Sequence, residues 1–392
     1  MKILEKLKKS TQKIIGPVAD TVSKYAKKVI TPVVNLYKKL NKPTKKLIRT
    51  ETVILALFAV VSVMESSGNL TSLMKGLLVP VCAYSLVAVG LNLCVGYLGE
   101  LSLGHAGFMC VGAFTSALFS RTFQDVIPDV PRFIIALVLG TAVAALFGFL
   151  IAIPVLRLSG DYLAIVTLAF GEIIKNVINV LYVGKDSKGL HFSMKDQMSL
   201  NMDLDGMMLI NGPQGITGTP RQSTFLIAVL LLMLALIVTH NFVHSRTGRA
   251  VMAIRDNQIA AETVGLPVTK YKLVAFTLSA AIAGVGGVLY AHNINSLTAT
   301  TNNFGYNMSI MILVYVVLGG IGNFSGSVIA AVVLTMLPEL LRGLSTYRML
   351  IYSIVLIGLM LFNWAPGILK WREAHGLNAT AIIGRFKKKE VQ

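Results

Sequence analysis

Acidic residues are scarce, with 18 Asp and Glu set against 36 Lys and Arg in 392 residues. Charge of both signs makes up only 14% of the chain, where a soluble globular protein carries about a quarter. A chain so poor in charge and 54% hydrophobic needs somewhere other than a soluble core to hide its apolar surface. Its apolar residues fall in long blocks, which places them in lipid. Cysteine is also nearly missing. Cys82, Cys94 and Cys110 lie singly in apolar blocks, with no CxxC pair and no His/Cys cluster, which argues against a disulfide framework or a metal site. They read as small packing residues. The sequence lacks a Walker A phosphate loop, an HExxH and a GxSxG motif. No catalytic residue, metal ligand or cofactor is assigned, and energy for uphill work must come from an ion gradient or a partner subunit. A secretory signal is also missing, because lysines interrupt every apolar run before Val53.

What charge there is sits at the ends. Residues 1–50 hold fourteen Lys and Arg against two acids, and residues 370–392 hold six against two. Basic tails on a bundle of spanning segments read as cytoplasmic extensions rather than nucleic-acid arms. Within 1–40, Ile3, Leu4, Leu7, Ile14, Ile15, Val18 and Val22 recur at helical intervals. Two readings stand for this stretch: basic amphipathic helices on an anionic leaflet, or a mobile basic tail.

About ten apolar segments follow, near 52–66, 73–95, 103–121, 132–155, 162–183, 223–243, 271–292, 307–321, 324–341 and 347–364. The expected fold is an all-α, polytopic helical membrane protein with some broken helices. Its domains are a basic segment 1–50, a transmembrane unit 51–369 and a basic tail 370–392. An inside N-terminus and ten crossings return the C-terminus to the same side. That parity puts the loop 244–270, with Arg246, Arg249 and Arg255, in the cytoplasm. The loop 184–222, balanced by Asp186, Asp196, Asp203 and Asp205, falls outside. Trp364 and Trp371 close the last span as interfacial anchors.

Two glycine-rich interruptions, VGYLGELSLGHAGF (Val95–Phe108) and LGGIGNFSG (Leu318–Gly326), mark broken or tightly turned helices. Helix N-termini exposed at such breaks suit a carboxylate, so Gly96, Gly99, Ser102, Gly104 and His105 are candidates to line a translocation path. His105 reads equally as a helix-packing hydrogen-bonder. Glu172 is a further path candidate because ionisable groups in hydrocarbon usually face a cavity or a partner. With Lys175 three residues on, it also reads as half of a neutralising structural pair. Asp161 is placed as a helix N-terminal anion, and Glu339 as a group reaching the interface. Asn211, Gly212, Pro213 and Gly215 form a rigid outer turn that either shapes a docking surface or caps a loop.

The inner loop predicts an amphipathic helix over Ala250–Val264, ended by Gly265 and Pro267. It is either a docking element for a soluble partner or an interfacial connector. The run SRTGRAVMAIRDNQIAAETVGLPVTKYKLVAFTLSAAIAGVGGVLYAH resembles the cytoplasmic loop and following span of permease subunits of branched-chain amino acid ABC importers, the LivM-type subunit above all. GYLGELSLGHAGFMCVGAFTSAL, LSGDYLAIVTLAFGEIIKNVINVL, NGPQGITG and LVYVVLGGIGNFSGSVIAA extend the resemblance, in order, over most of 80–365. The resemblance implies a pore-forming subunit in the cell inner membrane, moving branched-chain amino acids. Its implied partners are a second homologous permease, two cytoplasmic ATPase subunits and an extracytoplasmic substrate-binding protein. It further implies that Ile259–Pro267 is a coupling loop, with Arg249, Arg255, Glu262 and Gly265 as ATPase-coupling residues. Where the wider importer pattern reads EAA, this chain has Ala260-Ala261-Glu262. A stand-alone secondary transporter or channel is the competing class, and urea or short amides are the competing substrates.

Overall fold

A computed structural model describes residues 42–67, 71–156, 158, 160–186, 189–202 and 206–364. The expectations for residues 1–40 and 370–392, and for Trp371, lie outside the described residues. The chain divides into two compact units, 1–59 and 60–392. The first contains the start of helix α1 (Lys42–Ser66). There the Thr52 hydroxyl donates to the Ile48 carbonyl one turn back at 2.6 Å, and Val53, Leu55 and Leu57 are exposed.

In the second unit, α2 (Ser72–Asn92) continues as a π-helical turn, Leu93–Leu98. Then come α3 (His105–Thr122), α4 (Asp129–Val155) and α5 (Asp161–Asn179). After a segment of strands, the chain forms α6 (Phe225–His244), the short α7 (Arg246–Asp256) and α8 (Gln258–Thr263), and α9 (Val268–Ala291). The single turn α10 (Thr301–Phe304), α11 (Tyr306–Gly319), α12 (Phe324–Leu340) and α13 (Arg348–Trp364) complete it. Each of the ten apolar segments expected from the sequence coincides with a helix. Five described helices are long and apolar enough to cross a membrane by length and composition: Met74–Leu98, Asp129–Val155, Phe225–His244, Val268–Ala291 and Phe324–Gly343. Helix α11, with 14 residues, reaches only about 21 Å at 1.5 Å per residue. It ends at the second glycine break, where α12 takes over.

The centre of the unit is α9, which packs on α2, α3 and α4. Small residues let these backbones approach, as packing in lipid requires. A Cβ on Gly287 would strike the Met109 carbonyl, and one on Gly112 would meet the Gly284 backbone at 2.5–2.9 Å. Gly287→Val is therefore expected to destabilise the bundle by at least the roughly 1–3 kcal/mol typical of overpacking. Thermal unfolding of purified protein in detergent would read this as a lowered midpoint. An unchanged midpoint would mean that α3 and α9 are not in backbone contact. The outer flanks are apolar instead: α4 exposes Val130, Ile134, Val138, Leu146 and Leu150, and α6 exposes Leu226, Leu230 and Leu234.

The all-α expectation needs one correction, in the loop 184–222. Strands β1 (Tyr182–Asp186), β2 (Gly189–Ser193) and β3 (Met207–Asn211) form an antiparallel sheet in the order β2-β1-β3. A second pair joins β4 (Ile216–Thr217) to β5 (Ser296–Leu297). Helix α5 stops at Asn179 rather than running to 183, because residues 182–186 are taken into β1. Gly184, Gly189, Gly206, Gly212 and Gly215 interrupt residues 182–217, and strand pairing satisfies the backbone of the short runs between them.

Candidate functional site: the inner loop and the glycine breaks

The helix expected over Ala250–Val264 is two helices. Asn257 adopts an extended conformation (φ −157°, ψ 103°), and its side chain accepts from the Ala260 N–H at 3.0 Å. A residue that caps a helix start interrupts the one before it. The Ser245 hydroxyl caps α7 in the same way, accepting from the Gly248 N–H at 3.1 Å. Gly265 ends the hairpin with φ +82°, a conformation that disfavours any side chain. Ile254, Ala261 and Val268 form a small core beneath it, with Leu266 and Tyr271 packed alongside.

The four coupling candidates take different positions. Arg249 is exposed and donates to the His244 carbonyl at 2.9 Å, satisfying the end of α6. Glu262 is exposed and accepts from Gln258 at 3.0 Å. Arg255 alone reaches back into the bundle. Its Nη1 donates to the Gly96 carbonyl at 2.7 Å, while Nε and Nη2 hold Asp256 at 3.0 and 2.8 Å. Its stem lies against Gly99, where a Cβ would come within 2.5 Å of the Arg255 Cγ, and Gly99 has φ +80°. A pocket of about 370 Å³ opens beside this contact, lined by Leu98, Gly99, Glu100, Ile254–Ile259 and Lys272. The exposed Ile259 stands on its rim.

Residues Gly99–Gly104 between the π-turn and α3 are not helical, so their polar groups need partners from elsewhere. The Glu100 N–H donates to the Cys94 carbonyl at 3.3 Å, and the Leu103 N–H to the Thr167 hydroxyl at 3.0 Å. A Cβ on Gly104 would strike the Thr167 carbonyl. The Glu100 carboxylate pairs with Lys272, and both are buried. Ser102 and His105 are buried too. Ser279 gives its hydroxyl proton to the Gly90 carbonyl at 2.6 Å, so a neutral His105 donates from Nε2 to Ser279, 2.6 Å away, and Nδ1 accepts from Ser102 at 3.1 Å. His105 thus ties α2, α3 and α9 together, with Phe108 and Phe276 edge-on to its ring. In this conformation it is a packing hydrogen-bonder.

Glu172 and Lys175 are paired at 2.5 Å. Each also reaches the start of the α10–α11 region: Glu172 accepts from the Tyr306 N–H at 2.7 Å, and Lys175 donates to Thr301 at 3.3 Å. A carboxylate on the first N–H of α11 suits the positive end of that helix. Asp161 stands in the first turn of α5, and Glu339 pairs with Arg342 at 2.9 Å. The Asn211–Gly215 turn is closed by its own hydrogen bonds. The Asn211 N–H donates to the Gly215 carbonyl at 2.9 Å and its side chain to Gln214 at 2.8 Å. Gly212 (φ +48°) lies against the Tyr182 ring, and Gly215 (φ +68°) against the Leu297 carbonyl. Pro213 and Gln214 are exposed at its tip.

Residues 73–363 of this chain match the family described as branched-chain amino acid transport system / permease component. The chain belongs to that family. It is 35% identical over 292 residues to the high-affinity branched-chain amino acid transport system permease protein LivM of Salmonella typhimurium. It is 34% identical, over the same length, to the LivM protein of Escherichia coli strain K12. Each match covers 72% of this chain and 66% of the relative, so the chain spans just under two thirds of the length of these proteins. The ribose import permease protein RbsC of Escherichia coli strain K12 is 24% identical over 311 residues, 78% of this chain and 89% of the relative. No solved structure matches.

In this branched-chain permease family member, reasoning from the sequence did not single out Asn92, Glu100 or Lys272 as parts of the site. A signal was present for each: an amide inside the apolar run before the first break, and two opposite charges at the edges of apolar segments. Their pairing across 172 positions is not written in either local segment.

Proposed function

We propose that this chain is the translocation-pathway subunit of an ABC importer for branched-chain amino acids, driven by separate ATPase subunits. In this reading ten helices cross the inner membrane and both ends lie in the cytoplasm. Residues 51–369 are the permease domain between basic segments 1–50 and 370–392. A second, homologous permease completes the pathway, two ATPases bind the 244–270 side, and a binding protein delivers cargo to the 184–222 side. The single observation that carries this reading is the Arg255–Gly96 hydrogen bond. A surface loop suited to docking is joined directly to the broken helix that would line the path, so force on one is felt by the other.

The geometry supports these roles. The pocket beside Arg255 and the exposed Ile259 and Val264 offer an ATPase both a recess and apolar anchors, with Glu262 and Gly265 on the same surface. Arg249 holds the loop to the end of α6. The Asn211–Gly215 turn presents a stiff outer edge to the binding protein. Gly96, Gly99, Ser102 and Gly104 shape the break itself. Glu172 and Lys175 are occupied with each other and with the α10–α11 start, which suits a structural role better than ion coupling by a stand-alone transporter.

Reconstitution tests the class. Proteoliposomes holding this chain, a second permease of the family and the ATPase subunits are expected to take up leucine, isoleucine or valine only with ATP and the binding protein. Ribose and urea serve as competing cargoes. Uptake by this chain alone, driven by a proton or sodium gradient, would refute the importer reading.

A further inference from the structure

The two glycine-rich breaks, far apart in sequence, are in backbone contact, and one side chain joins them. Asn92, the last residue of α2, is buried. Its Oδ1 accepts from the Gly322 N–H at 2.8 Å, and its Nδ2 donates to the Ser327 hydroxyl at 2.7 Å. Gly322 lies between α11 and α12 with φ +78°, so the side-chain oxygen replaces a helical acceptor. A Cβ on Gly96 would collide with both Asn92 and the Gly322 backbone. Next to it, the Tyr97 hydroxyl donates to the Gly322 carbonyl at 2.8 Å, and its ring stacks on Phe324 with centroids 4.9 Å apart.

We propose that Asn92 is the positioning residue that makes the two breaks move as one part. Displacement of α7 would then pass through Arg255 and Gly96 to Gly322 and the α11–α12 junction. The inference rests on the importer reading above. The physical grounds are continuity and softness. Contacts run without a gap from the Arg255 guanidinium to Gly96, from Gly96 to Gly322, and from Gly322 into α12. The π-turn and the two breaks lack a regular α-helical ladder, so they deform at lower cost than the helices they join. Both hydrogen-bonding ends of the Asn92 amide are used on the second break, which is what a coupling through packed and bonded groups needs.

The test uses the assembled complex of this chain, its permease partner and the ATPases in proteoliposomes, with Cys82, Cys94 and Cys110 replaced by alanine. Tyr97→Cys and Phe324→Cys are bridged with a short bis-methanethiosulfonate reagent, and leucine uptake and ATP turnover are measured before and after reduction. Because the two breaks move together, bridging is expected to leave uptake within about twofold of the unbridged rate, whereas a bridge between parts that slide past one another would lower it about tenfold or more. In Asn92→Ala protein the same bridge should recover most of the lost coupling, reductant should abolish that recovery, and the ATPases should stay bound in a pull-down. In parallel, Asn92→Ala is expected to raise the ATP spent per leucine several-fold. Asn92→Asp, which keeps an acceptor for the Gly322 N–H, should stay nearer the parent. Bridged protein that loses uptake about tenfold while the ATPases stay bound would overturn the proposal. So would Asn92→Ala protein that loses yield while its ATP-to-leucine ratio stays unchanged. Failure of the parent chain to bind any ATPase would overturn the importer reading, and this proposal with it. A bound, active complex that the bridge arrests overturns this proposal alone.

Discussion

Arg255→Ala is expected to lower ATP-driven uptake by about tenfold or more while leaving the ATPase subunits bound, in keeping with coupling free energies of about 1–3 kcal/mol. The argument is geometric. Arg249, Glu262 and Gly265 hydrogen-bond within their own loop or to the end of α6, whereas Arg255 bonds to the Gly96 carbonyl and packs on Gly99. Removing its guanidinium leaves the loop folded, because the core under it is Ile254, Ala261 and Val268. What is lost is the connection between that loop and the π-turn. Arg255→Lys keeps the charge but cannot hold Asp256 and Gly96 together in one planar fork, so an intermediate loss is expected. The measurement is leucine taken up per ATP hydrolysed in proteoliposomes, with ATPase binding followed separately. A ratio equal to the parent's in Arg255→Ala would separate Gly96 from the mechanism.

The largest stability effect is expected at Lys272. Its ammonium and the Glu100 carboxylate are buried together, with side chains 8% and 12% exposed. Removing one partner of such a pair typically costs about 3–5 kcal/mol, because the other charge is left buried and unpaired. Lys272→Met should therefore lower the thermal midpoint in detergent sharply, and Glu100→Gln added to it should recover most of the loss. The single variant melting with the parent would show that the pair contributes nothing. A double variant no better than the single would place the cost in lost packing rather than in stranded charge.

These two residues also show where local reading stops. Composition and block length placed the chain in lipid and marked ten helical segments, nine of them to within a few residues; the first helix begins at Lys42, ten residues before the apolar run. Glycine-rich punctuation located both breaks and the end of the inner hairpin at Gly265. The fault lines lay where a segment's fate depends on a neighbour. The apolar segment expected to run to 183 ends at Asn179, because residues 182–186 are drawn into a strand by β2 and β3. The helix expected over Ala250–Val264 divides because Asn257 caps the second part. His105 was a path candidate from its place at the first glycine break, and Glu172 from the cost of a carboxylate in hydrocarbon. Inside the bundle Ser102 and Ser279 partner His105, and Lys175 and the Tyr306 N–H partner Glu172.

Periodicity, charge and glycine position act over a few residues, so they specify which stretches are helical, where those helices break and which ends are basic. They carry no information on which break faces which. That Asn92 meets Gly322, that Glu100 meets Lys272 and that Arg255 meets Gly96 follows from three-dimensional packing. Small residues on α9 let α2, α3 and α4 close around it, and the polar groups left over in a medium without water had to find one another.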